Sequence, residues 1–86
     1  MAASRQDISR WFEAGKARKC THFIVVCDTF DHEDYPIYTT GPEETWKQYT
    51  EHQGINMQRV MEVYDLSADK ESQMNEHRAM RLPEKP

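Results

Sequence analysis

The chain has 86 residues, 37% of them hydrophobic and 30% charged, with a net charge of −4. That length makes one domain and buries only about 60–65% of the unfolded chain's surface, so the core is thin. The 11 Lys and Arg residues are scattered, which argues against a broad basic face and direct nucleic-acid binding, and the longest apolar run, Phe23 to Cys27, is far too short to span a membrane.

Met1 to Ser9 is polar and does not read as a secretory signal. Cys20 and Cys27, if both lie on one extended strand, are about 23 Å apart and beyond disulfide reach. Reduced thiols and a cytoplasmic setting are expected. CxxC spacing is absent, so neither a zinc knuckle nor a thioredoxin-type site is available.

In chain order, Ser4 and Asp7 form the pattern of a capping pair that opens a helix. Ile8, Trp11 and Phe12 follow at the i, i+3, i+4 spacing of one helical face. Gly15 suits the left-handed residue just past a helix end. Arg10, Lys16, Arg18 and Lys19 fall around that terminus, where cations complement the helix dipole. Thr21 to Cys27 is continuous, β-branched and apolar, the pattern of a strand central in its sheet. Tyr35 to Thr40 alternates weakly, and Pro36 cannot donate to a ladder, which predicts an edge strand. Asp31-His32-Glu33-Asp34 connects the two as the tip of a hairpin.

Gly41-Pro42-Glu43-Glu44 starts a second helix, with proline in the first turn and two carboxylates at the positive end of the dipole. Trp46 and Tyr49 supply its apolar face, and Gly54 stops it. Met57 to Leu66 alternates as a third strand, with Val60, Tyr64 and Leu66 on one side and Met57, Met61 and Val63 on the other. Ser67-Ala68-Asp69 caps a last helix that runs to about Met80 and has little apolar content. The expected fold is α+β in the order α-β-β-α-β-α, with a three-stranded antiparallel sheet ordered 2-1-3. The first two helices would pack on one face, leaving the other to the terminal helix or a second copy. The domain would span residues 1–82, with 83–86 a disordered tail.

Chemistry-bearing residues are densest at the hairpin tip: Asp28, Asp31, His32, Glu33 and Asp34, with Tyr35 beside them. Oxygen ligands of this kind suit hard divalent cations, and His32 could join a transition-metal site. An EF-hand loop is excluded, because no glycine stands at its sixth position. Asp and its relatives also build ordinary solvated turns, which is the reading the tip favours, with no metal and no cofactor assigned. Asp28 is a separate case, since it ends an apolar strand carrying a charge that needs a partner; a hydrogen bond to the turn would supply one. His22, His32, His52 and His77 fall on four different elements, with no HxH or HExxH pair. No catalytic spacing is present, and catalysis would need a pocket joining Asp28, His22 and a tyrosine.

The segment Thr21-His22-Phe23-Ile24-Val25-Val26-Cys27-Asp28-Thr29-Phe30-Asp31-His32-Glu33-Asp34-Tyr35-Pro36-Ile37-Tyr38 resembles the core of a group of small uncharacterised proteins from phages and bacterial genomes. Asn56-Met57-Gln58-Arg59-Val60-Met61-Glu62-Val63-Tyr64 is similar to that group's second block, and together the two cover about a third of the chain. The resemblance implies a short accessory gene product of phage origin that binds and blocks a host factor, including bacterial defence complexes, or sequesters a small molecule. The expected function is therefore that of a non-enzymatic binding protein whose partner is a host protein or protein complex. The methionine-rich end makes a homodimer a possible partner as well. A small-molecule or metal-binding protein using the acidic tip is the alternative.

Overall fold

A strand that is apolar at every interior position has no face to give to water and has to be covered on both sides. β1 (His22–Asp28) is such a strand, and it lies between β2 (Glu33–Thr39) and β3 (Gln58–Asp65) in a three-stranded sheet ordered β2-β1-β3. Both neighbours run antiparallel to β1. With α1 (Arg5–Ala17), α2 (Pro42–His52) and α3 (Lys70–Met74) the order is α-β-β-α-β-α, a small α+β fold. The structure, a computed structural model, describes residues 4–30, 33–53, 58–76 and 79–84.

The sheet carries one apolar cluster on each face. Phe23 and Val25 meet Ile8 and Phe12 of α1, Tyr64, Leu66 and Ala79, with Met61 and Met74 of α3 packed against them. Phe12 sits edge-on to both Phe23 and Tyr64, with ring centroids 5.8 and 6.3 Å apart. On the opposite face Ile24, Val26, Val60 and Val63 are covered by Tyr49 of α2, Met80 and Leu82. The expectation that the first two helices share a face is therefore corrected: α1 and α3 cover one side and α2 the other. The cause is β1 itself, whose two sets of alternating side chains are equally apolar.

The alternation read along the third strand is also corrected. Val25 pairs with Glu62 but Val26 pairs with Val60, so Met61 is an extra residue, a β-bulge. Two consecutive residues then share a side, which shifts the alternation by one. Val60 and Val63 consequently reach one face together, while Tyr64 and Leu66 reach the other.

Gly15 is not the left-handed residue that ends α1. It lies buried within the helix, where a Cβ would stand 2.7 Å from Leu66 Cδ1 and 3.3 Å from the Tyr38 ring. The left-handed residue is Lys19, with φ of 60°. The amide of Cys20 donates to Gly15 O (3.1 Å) and that of Lys19 to Lys16 O (3.0 Å), closing the helix by a Schellman motif. Lys16 and Arg18 lie over the rings of Phe12 and Tyr38, at 5.1 and 4.5 Å, so these two cations cover aromatic faces.

The last helix is five residues long and does not run to Met80. Asp69 caps it, accepting from Ser72 N–H at 2.8 Å. Its hold on the sheet is polar as well as apolar: the fully buried Gln73 accepts from Asp65 N–H (2.7 Å) and donates to Asp65 O (2.8 Å). Beyond it the chain turns back along β3, Val63 N–H donating to Ala79 O and Arg81 N–H to Val63 O, both at 2.9 Å. Met80 thus forms a parallel bridge with Val63. Pro83, the first residue of the expected tail, accepts a hydrogen bond from the Trp46 indole at 2.8 Å.

Candidate functional site

The two ends of β1 carry the two candidate sites. At its C-terminal end Asp28 pairs with Glu33 across the hairpin. Phe30 N–H donates to Asp28 Oδ1 at 2.9 Å, so this carboxylate holds the turn in the manner of an Asx turn. The turn presents Phe30 outward: its side chain is 77% exposed, the one large apolar residue left so among the described residues. Glu33 is exposed and Asp34 half-buried beside it.

Tyr35 is fixed to the neighbouring sheet edge, its hydroxyl accepting from Gln58 Nε2 at 2.5 Å. Burial pushes the Tyr35 hydroxyl above its ordinary pKa, and the Asp28 charge adds to that, so it stays protonated. Cys27 is buried next to the tip, and burial, with Asp34 beside it, pushes its thiol up, making it a packing residue and not a nucleophile. Of the sequence-derived candidates, Asp28, Glu33, Asp34 and Tyr35 are gathered at this end, while Asp31 and His32 lie outside the described residues. Gly54, Met57 and His77 lie outside them too. Among the described residues no three His, Cys, Asp or Glu side chains converge as a metal site.

His22 stands at the other end of β1, a strand of seven residues and so about 20 Å long. It is separated from Asp28 by the length of the strand. It opens instead on a cleft of about 460 Å³ whose walls include Lys16, Cys20, Pro42, Asp65 and Leu66. Four elements meet here because Thr21 ties them. Its hydroxyl accepts from Gly41 N–H (2.8 Å), and its carbonyl accepts from Leu66 N–H (2.9 Å). Thr45 anchors the start of α2 below, its hydroxyl donating to Gly41 O at 2.7 Å and accepting from Thr39 Oγ1 at 2.7 Å.

His22 is 7% exposed, and its Nδ1 lies 2.9 Å from Thr21 Oγ1. Its Nε2 is buried and has no hydrogen-bond partner among the described residues. The nearest charge is Asp65 Oδ2 at 4.0 Å, too far for a direct bond. Asp65 Oδ1 is taken by Ser67, which donates from its backbone N–H (2.8 Å) and its hydroxyl (2.6 Å). Burial pushes the His22 imidazole below its usual pKa, and the opposing Asp65 charge does not reverse this. Burial also acts to raise Asp65, but the Ser67 hydrogen bonds and His22 outweigh it and hold the carboxyl below the ordinary range.

Sequence reasoning paired His22 with Asp28 and missed Asp65. A usable signal was present: in an antiparallel 2-1-3 sheet, the first residue of the central strand faces the last of the third strand, and His22 does pair with Asp65. Comparison with protein-family models, curated proteins and solved structures finds no match.

Proposed function

We propose that the protein is a non-enzymatic binding protein that engages another protein through the tip of its β1–β2 hairpin. The observation that carries this is Phe30, 77% exposed at the end of a turn pinned by Asp28. An aromatic ring whose backbone amide is held by a neighbouring carboxylate loses less conformational freedom when a partner pocket takes it, and such rings dominate binding energy at interfaces. The carboxylates of Asp28, Glu33 and Asp34 around it favour a partner pocket with a basic rim, since charge complementarity sets orientation and association rate.

The separation of His22 from Asp28 along β1 supports the non-enzymatic reading, because acid–base work at the tip needs both within hydrogen-bond reach of one substrate. The resemblance of Thr21 to Tyr38 to small phage and bacterial proteins supports a host protein or complex as the partner. The test is capture from a host lysate with wild-type protein and with Phe30→Ala. A stoichiometric partner retained by the first and lost by the second supports the reading. Equal capture by both, or repeated failure to recover a partner, overturns it.

A further inference from the structure

An edge strand turns half of its amides and carbonyls away from the sheet, and among the described residues no strand lies outside β2. Its pairing with β1 runs through Val25 and Pro36 without a register shift. Proline cannot donate, and in an unbroken ladder its nitrogen belongs on the open side of the strand. Backbone groups alternate along a strand, so those of Asp34 and Tyr38 face the open side together with Pro36. Thr40 continues the series, and its amide is taken by Glu44 Oε1 at 3.2 Å. The edge is thus bounded by α2 and has Pro36 at its middle.

We propose that two copies of this chain join through β2, antiparallel and two-fold, with the axis between their Pro36 residues. In that register Asp34 of each copy lies opposite Tyr38 of the other, and their amides and carbonyls exchange hydrogen bonds on both sides of the axis. The prolines face each other, where neither has a donor to lose. Shifted by one pair in either direction, only one amide of each β2 still finds a β2 carbonyl, so Pro36 selects the register. The side chains favour the same register on both faces. Asp34, Pro36 and Tyr38 share the face of α1, where the Arg18 guanidinium lies 4.5 Å from the centre of the Tyr38 ring. Among the described residues no carboxylate stands within salt-bridge distance of Arg18. The partner's Asp34 arrives beside the Tyr38 ring and brings a carboxylate to that cation, and symmetry makes the pair twice. On the α2 face, the half-buried Tyr35 and Ile37 meet the partner's Ile37 and Tyr35, aromatic and β-branched pairs of the kind that hold adjoining strands.

The experiment weighs the full purified chain by sedimentation equilibrium, as wild type, as Arg18→Glu, as Asp34→Lys and as the two variants mixed. Wild type should form a dimer with Kd of about 10 μM, as suits a short seam. Each variant alone sets like charges together on both sides of the axis and should weaken the dimer about tenfold or more. In the mixture every reversed charge meets one of opposite sign, so a mixed dimer should regain wild-type strength. Amide exchange of the wild type gives a second reading that stands even if a variant folds poorly: Asp34 and Tyr38 should become protected as concentration rises. Wild type still monomeric at about 500 μM, variants as tight as wild type, a mixture no tighter than its components, or exchange at Asp34 and Tyr38 indifferent to concentration overturns the proposal. So does a dimer that Phe30→Ala dissolves, because its seam would then be the hairpin tip and not β2.

Discussion

The side-chain amide of Gln73 holds both backbone groups of Asp65, N–H at 2.7 Å and C=O at 2.8 Å, as a neighbouring strand would. The same amide nitrogen reaches Asp69 O at 3.1 Å, so one glutamine ties the end of β3 to the start of α3. The exposed ion pairs that also reach α3, Arg5–Glu71 and Lys70–Glu13, contribute less, since such pairs are worth about 0–1 kcal/mol.

Gln73→Leu keeps the volume but strands the two backbone groups of Asp65. Net loss should be about 2–4 kcal/mol, from the bonds removed and the desolvated groups left behind. Urea denaturation measures it, and a change below about 0.5 kcal/mol would show that water replaces the amide freely. Arg5→Ala and Glu71→Ala should each stay within about 1 kcal/mol of wild type.

Gly15 is set against Leu66, and that contact can be read by a double-mutant cycle. Gly15→Ala gains helix propensity of about 1 kcal/mol but forces a methyl against Leu66 at a cost of about 1–3 kcal/mol. The expected outcome is a net loss of about 1 kcal/mol. In a Leu66→Val background the methyl has room, and Gly15→Ala should become neutral or stabilising. Additive effects would mean that the two side chains do not compete for space.

His22 makes stability depend on pH in a definite direction. Its pKa when folded lies below the ordinary 6.5, so the unfolded chain takes the proton first. Stability is then complete above about pH 6.5 and declines as pH falls below it. Lys16 from α1 and Asp65 from β3 are the charged groups on the same cleft. Asp65 has a lowered pKa, so its contribution is lost only as pH falls below its ordinary 3.8, outside that window. His22→Gln should flatten the slope between about pH 5 and 7, measured as denaturation midpoints across that range. An unchanged slope would assign it to other histidines.

At the hairpin tip, Asp28→Ala should cost about 1 kcal/mol through loss of the bond to Phe30 N–H, while Asp28→Asn keeps an acceptor and most of the stability. Phe30→Ala should leave the thermal midpoint almost unchanged, because the ring buries little. A substantial drop in that midpoint would mean that the ring packs on the protein and is not presented by it.

Element order and sheet order were legible because two segments tolerate few placements. The apolar run from Phe23 to Cys27 has no polar side, and Pro36 lacks an amide proton, so the first had to be central and the second at an edge. Which helix covers which face was not legible, since β1 offers two equivalent faces and the choice depends on packing across the whole domain. Neither the bulge at Met61 nor the burial of Gln73 leaves a mark in hydrophobic periodicity. The tip could be read because its residues are consecutive. The cleft could not, because Lys16, His22, Pro42 and Asp65 come from four elements, and the unpartnered ring nitrogen of His22 shows only once they are packed together.

The short return of residues 79–81 along β3 has a consequence for how copies of this protein can associate. It occupies part of the outer edge of β3, so among the described residues β2 is the edge with no strand beside it. Pro36 interrupts the donors of β2, but its remaining amides and carbonyls can still meet a second β2. Two molecules joined that way would present only their partly covered β3 edges to a third. Extension of the sheet beyond two molecules is therefore opposed by the C-terminal segment, which a fibril would first have to strip away from Val63.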